Sequence, residues 1–134
     1  MILIDANIFM YAAGAEHRYK APSSRFLERV ARGEIEAALD AEVLQEILHR
    51  YRSIQRWPEG GRVYDLARRI VPIVIPITAD ILDLTRNLLD RYGNLSARDA
   101  LHAAVVQYHG ARAICSFDRD FDDIENLERI EPAL

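Results

Sequence analysis

Met1-Ile2-Leu3-Ile4-Asp5-Ala6-Asn7-Ile8-Phe9 opens the chain. Ile2 to Asp5 reads as a short buried strand that ends on an acid. Asp5 or Asn7 is then able to cap a helical stretch over Ile8 to Tyr11. A carboxylate at the end of an apolar strand is poorly solvated, and three more acids fall at comparable corners: Glu46, Asp99 and Asp118. Two unit charges about 4 Å apart repel by roughly 4 kcal/mol at an effective dielectric near 20. A fold that gathers several such groups gathers cations with them.

Working outward from that strand, Pro22 to Arg32 reads as a helix with Phe26, Leu27 and Val30 on one face and Gly33 just past its end. Glu34 to Leu39 is a second strand. Asp40 is placed to cap a helix over Ala41 to Arg52, whose apolar stripe is Val43, Leu44, Ile47, Leu48 and Tyr51. Trp57-Pro58-Glu59-Gly60-Gly61 reads as a turn, and Arg62 to Arg69 as helical. Ile70 to Ile77 is rich in β-branched residues but holds Pro72 and Pro76, which cannot donate to a ladder, so this strand belongs at a sheet edge. A helix from Thr78 or Asp80 to Tyr92 follows, ending at Gly93. Ser96 caps another that stops before Gly110, and Ala111 to Ser116 is a strand. The tail from Phe117 is polar and acidic, with a last apolar piece near Ile130. Strands alternating with helices imply an α/β sandwich with a mostly parallel sheet. Ligands of such sheets sit beyond the carboxyl ends of the strands, where Asp5 and Asp118 both fall.

Composition narrows the class. The 134 residues, 50% hydrophobic and 28% charged, suit one globular domain spanning 1–134 and exclude a disordered chain. No apolar run is long enough for a membrane span, and no export signal is expected at the N-terminus. Cys115, the only cysteine, excludes a disulfide framework within one chain, reads as a small core residue and fits a reducing cytoplasm. A net charge of −4 argues against a simple nucleic-acid binder but not against a nuclease, because bound cations add charge that a residue count omits.

Each acid has a plainer reading. Asp5 could be a turn residue or cap, yet Asn7 would cap as well. Glu46 could pair with Arg50 one helical turn on, worth a few tenths of a kcal/mol. It also adjoins Val43 and Ile47, from where it can reach over the sheet edge. Ser96-Ala97-Arg98-Asp99 is a capping-box pattern, with the acid favoured by the helix dipole. The helix that follows is apolar almost all round, so a carboxylate on the face of Ala103 and Val106 wants a counter-charge. Asp118 heads an acidic run in which Asp120, Asp122 and Asp123 are expected to face solvent, with one of them assisting through water. Ser116 and Asn7 offer neutral oxygen ligands. Carboxylate oxygens select hard ions, Mg²⁺ or Mn²⁺. His17, His49, His102 and His109 form no zinc-type cluster, and His102 reads as a packing residue. Arg50, Arg52, Arg56, Arg68 and Arg69 either guide a polyanion or form a solvated helix face.

Leu3-Ile4-Asp5-Ala6-Asn7-Ile8, Ala41-Glu42-Val43-Leu44-Gln45-Glu46-Ile47, Ala97-Arg98-Asp99-Ala100-Leu101-His102-Ala103-Ala104 and Ser116-Phe117-Asp118-Arg119-Asp120-Phe121 together resemble the four motifs of PIN-domain ribonucleases, in particular VapC-type toxins of prokaryotic toxin–antitoxin pairs. The resemblance spans nearly the whole chain in order and spacing. The pattern often has Thr where Ala6 stands, and often Ser or Thr near Asp40, but neither departure removes an acid. The resemblance implies a PIN-like three-layer sandwich with a five-stranded, mostly parallel sheet flanked by helices and the proline-containing strand at an edge. It implies cleavage of single-stranded RNA with Mg²⁺ or Mn²⁺, frequent homodimers, and inhibition by a small antitoxin inserted near the acidic pocket.

In this reading Asp5, Glu46, Asp99 and Asp118 are the catalytic acids, and Asp5 and Asp99 hold the principal metal ion. Two alternatives stand beside it. One is a phosphatase with Asp5 as nucleophile, which Asn7 and the lack of any lysine besides Lys20 make a poor match. The other is a non-catalytic acidic module whose helices offer an apolar groove of Tyr11, Phe26, Leu44 and Leu48 to a protein partner.

Overall fold

In the computed structural model, which describes residues 1–133, five short strands form one parallel sheet. In chain order the elements are β1 (Ile2–Ile4), α1 (Ala6–Ala13), α2 (Lys20–Ala31), β2 (Ala37–Asp40), α3 (Ala41–Ser53), α4 (Trp57–Ile70), β3 (Val74–Ile75), α5 (Ala79–Arg91), α6 (Ala97–His109), β4 (Ala113–Cys115), a 3₁₀ turn over Arg119–Asp123, and β5 (Arg129–Ile130). The strand order is β3-β2-β1-β4-β5. The chain builds outward from β1 to β3, then crosses back to lay β4 on the other side of β1. The strand order therefore reverses between β1 and β4, the position at which an open α/β sheet has its crevice.

Side-chain alternation along the strands divides the core into two layers. Ile2, Ile4, Ala37, Leu39 and Cys115 pack with α1 to α4 on one face. Leu3, Ala38, Ile75 and Ile114 pack with α5 and α6 on the other. This is the expected three-layer sandwich. Among the described residues no helix is long and apolar enough to cross a membrane.

Several boundaries differ from the sequence reading. The second strand starts at Ala37, not Glu34, because the end of α2 consumes the residues before it. Gly33 turns with φ +78°, and the Gly33 and Glu34 amides donate to the Val30 and Arg29 carbonyls at 3.0 Å each. Trp57–Gly61 is not a turn but the first turn of α4. Proline is tolerated there, and Gly60 lets α4 lie against α3: a Cβ on Gly60 would meet Tyr51 Cβ at 2.4 Å. The expected strand over Ile70–Ile77 shrinks to two residues bracketed by Pro72 and Pro76, and it does lie at the edge. The acidic tail is anchored in the second core layer, with Phe121 fully buried and Ile124 nearly so. Phe26 and Leu44 are core residues, so the apolar groove expected from them does not exist as a surface.

Candidate active site

The acids converge because three strand ends and one helix start meet at the carboxyl edge of the sheet. Asp5 follows β1, Asp40 ends β2, and Ser116 follows β4, where β1 and β4 pair through Ile4 and Cys115. Asp99 sits in the first turn of α6, whose cap Ser96 Oγ accepts the Asp99 amide at 3.1 Å. One cleft is lined by Asp5, Glu46, Asp99 and Asp118, so all four acids expected from the sequence meet in it, together with Asn7 and Arg98.

Asp5 is buried and tightly held. Its Oδ1 accepts the Ala6 amide at 2.7 Å. Its Oδ2 accepts the Ser116 hydroxyl at 2.6 Å and the Asn7 amide at 3.3 Å. Asp5 thus caps α1, as the plainer reading has it, and lines the cleft at once. Ser116 Oγ in turn accepts from Asn7 at 3.1 Å and from the Asp118 backbone at 3.0 Å. One hydroxyl therefore ties the ends of β1 and β4 together.

The acids form two groups rather than one ring. Asp99, Asp118 and Asp120 lie within 4.8 Å of one another, and Asp5 lies with Glu46 and His102. Burial, followed by repulsion from Asp118 and Asp5, pushes the Asp99 carboxyl up to about 7. Asp120 is the acid of the tail that joins the site; its amide donates to Asp118 Oδ1 at 2.9 Å.

His102 is not the packing residue that its helix suggests. The ring is almost wholly buried and lies between two carboxylates: Nδ1 is 2.6 Å from Asp40 Oδ2 and Nε2 is 2.6 Å from Glu46 Oε1, with Asp5 Oδ1 at 4.0 Å. Burial alone favours the neutral ring, but the Asp40 charge and hydrogen bond, the Glu46 hydrogen bond and the nearby Asp5 hold His102 well above its usual value. An imidazolium donates from both nitrogens, and here both acceptors are carboxylates. His102 is therefore an internal cation that orients Glu46 and not a free metal ligand, although it lies within ligand distance of Asp5 and Glu46. Burial also raises the Glu46 carboxyl, partly offset by His102. Arg98 completes this side, 3.5 Å from Glu42 and 3.7 Å from Glu46.

The link from Asp40 through His102 to Glu46 is what residue-by-residue reading missed. A signal existed: an ionisable side chain inside the apolar run from Ala100 to Val106 must find a polar partner.

The donor set suits a hard divalent cation. It is all oxygen at the open end of the cleft, its carboxylates repel one another, and Asn7 Oδ1, buried beside them, has no hydrogen-bond partner among the described residues.

A PIN domain family model matches residues 2–127. Over 130 residues the chain is 43% identical to ribonuclease VapC13 of Mycobacterium tuberculosis, covering 97% of this chain and 99% of that one. Among solved structures it resembles VapC20 of M. tuberculosis, described as a sarcin–ricin loop cleaving toxin, with a TM-score of 0.74 and 19% identity over 91% of this chain and 93% of that one. It also resembles a toxin–antitoxin complex chain from Klebsiella pneumoniae, with a TM-score of 0.70 and 18% identity over 99% of this chain and 98% of that one. The chain belongs to the PIN domain family and, within it, to the VapC ribonucleases.

Proposed function

We propose that this protein is a divalent-metal-dependent endoribonuclease that cleaves single-stranded RNA as the toxin of a toxin–antitoxin pair. The observation that carries the reading is the meeting of Asp5, Glu46, Asp99 and Asp118 in one cleft beside the strand-order reversal. Asp5, Asp99 and Asp118 are the residues that would hold Mg²⁺ or Mn²⁺, with Asp5 and Asp99 as the principal pair. Such an ion supplies activation of water and screening of the phosphodiester from the carboxylates.

The chain's own residues do the remaining work. Ser116 and Asn7 fix the Asp5 carboxylate, and Ser96 fixes the start of α6 and so Asp99. His102, clamped by Asp40, holds Glu46 at the cleft wall, where it can take up a proton. Arg98 brings a cation to the same wall for the substrate phosphate. Asp5 as a covalent nucleophile is disfavoured, because Asn7 stands where such an enzyme needs a second acid and Lys20 is the chain's single lysine. Family membership and the toxin–antitoxin assembly among its structural relatives support a small antitoxin as partner, and the homodimer implied by the sequence resemblance is part of the same proposal.

The test is incubation of the purified chain with mixed single-stranded RNA in Mn²⁺, beside EDTA and Asp99→Asn controls. Cleavage lost in both controls supports the reading. Intact RNA together with absent Mn²⁺ binding overturns it and favours the non-catalytic module.

A further inference from the structure

A second pocket opens beside the acidic cleft, and Asn7 and Met10 line both. Its other walls come from Tyr11 in α1, Glu16 and His17 after it, and Arg50, Arg56 and Glu59 from α3 to α4. The volume is about 450 Å³, within the range of small-ligand sites.

The chemistry of these walls is specific. Tyr11 and His17 lie with ring centroids 4.8 Å apart and 32° between planes. Behind them Tyr11 meets Phe117 edge-on at 5.5 Å, and Tyr19 stacks on Phe117 at 3.9 Å. Phe117 directly precedes Asp118, so this aromatic cluster is tied to the catalytic edge. The Tyr19 amide donates to His17 Nδ1 at 3.1 Å, which places the proton of a neutral His17 on Nε2 and keeps a donor on its outer side. Arg56 is neutralised by Glu59 at 2.7 Å, whereas Arg50 is exposed and makes no ion pair among the described residues. The exposed His17 ring backed by half-buried Tyr11, a ring donor, a guanidinium without an ion pair among the described residues and the Glu16 carboxylate are the elements that recognise an unpaired nucleotide: stacking for the base, polar groups for its edge, a cation for its phosphate.

We infer that this pocket is a nucleotide subsite, in which one unpaired base next to the scissile phosphate stacks on His17, which Tyr11 supports from beneath, while Arg50 contacts the backbone. The inference rests on the ribonuclease reading above. It places a determinant of RNA choice in the segment between α1 and α2, away from the acids.

The experiment is fluorescence anisotropy of a short labelled mixed-sequence single-stranded RNA in EDTA, where binding is read without cleavage, over a series of salt concentrations. His17→Ala is expected to weaken binding by about fivefold or more with the salt slope unchanged. Arg50→Ala is expected to weaken binding and to flatten the slope of log affinity against log salt by about 0.7, one phosphate contact on a single strand. Arg86→Ala, on the exposed side of α5, is the control and is expected to match the unsubstituted chain. The Mn²⁺-induced thermal shift should stay unchanged in all three variants. If His17→Ala and Arg50→Ala bind RNA as tightly as the unsubstituted chain, or if Arg86→Ala loses as much, the subsite is overturned and the pocket passes to a protein segment. That result alongside normal Mn²⁺-dependent cleavage removes the subsite alone. An unsubstituted chain that neither binds nor cleaves RNA removes the ribonuclease reading with it.

Discussion

At the scale of single residues the site is a balance of unlike charges. Asp99 is held near Asp118 and Asp5, and its carboxyl is raised to about 7 by burial and their repulsion. A group whose folded value lies above its unfolded one adds stability at low pH and loses it as pH rises through the folded value. The metal-free chain should therefore lose this contribution between about pH 4 and pH 7. Asp99→Asn removes the repelling charge. In EDTA we expect its melting temperature to exceed that of the unsubstituted chain at pH 8, with the difference shrinking as pH falls and vanishing near pH 4, while cleavage in Mn²⁺ is abolished at every pH. A lower melting temperature at pH 8 would show that the acids do not repel one another as described. His102 makes the opposite case, a buried cation between Asp40 and Glu46. Removing one member of a buried ionic set costs about 3–5 kcal/mol. His102→Ala is expected to lose that much in urea unfolding, and Glu46→Gln, which leaves the Asp40 contact in place, distinctly less. Equal losses would mean that Asp40 is not the ring's principal anchor.

At the scale of elements, the two neighbouring glycines of α4 separate propensity from packing. Both lie in a helix, where alanine is favoured over glycine by about 1 kcal/mol. A Cβ at Gly61 meets nothing within 4 Å, but one at Gly60 would lie 2.4 Å from Tyr51 Cβ. Gly61→Ala should therefore stabilise by up to about 1 kcal/mol, and Gly60→Ala should destabilise by about 1–3 kcal/mol through overpacking of α3 against α4. Paired chemical-denaturation curves check this; equal effects at the two positions would contradict the close approach. The same contact explains why Trp57–Gly61 misleads when read locally. Its Pro and Gly content is that of a turn, and only the neighbouring helix reveals what the glycine is for.

At the scale of the whole molecule, order in the sheet converts separate motifs into one site. Asp5, Asp40, Asp99 and Asp118 span more than a hundred positions of sequence, and the reversal between β1 and β4 brings them to one edge. Carboxylates must be deprotonated to hold a cation, so metal binding is linked to proton release. With Asp99 raised to about 7, the melting-temperature increase produced by a fixed Mn²⁺ concentration should be larger at pH 8 than at pH 6. An increase independent of pH would remove Asp99 from the ligand set.

The sequence by itself determined the alternation of strands and helices, the edge position of the Pro72–Pro76 strand, the caps Asp40 and Ser96, and the four acids that line the cleft. Each of these follows from local chemistry: a missing amide hydrogen, a side-chain oxygen facing an orphan amide, a charge at the end of an apolar run. Tertiary structure alone decided which acids are neighbours, that His102 is a cation joining Asp40 to Glu46, that Phe121 turns an acidic tail into core, and that Gly60 belongs inside a helix. Those outcomes depend on contacts between residues distant in the chain, and burial and Coulomb energies are set by separation in space, which local pattern does not contain.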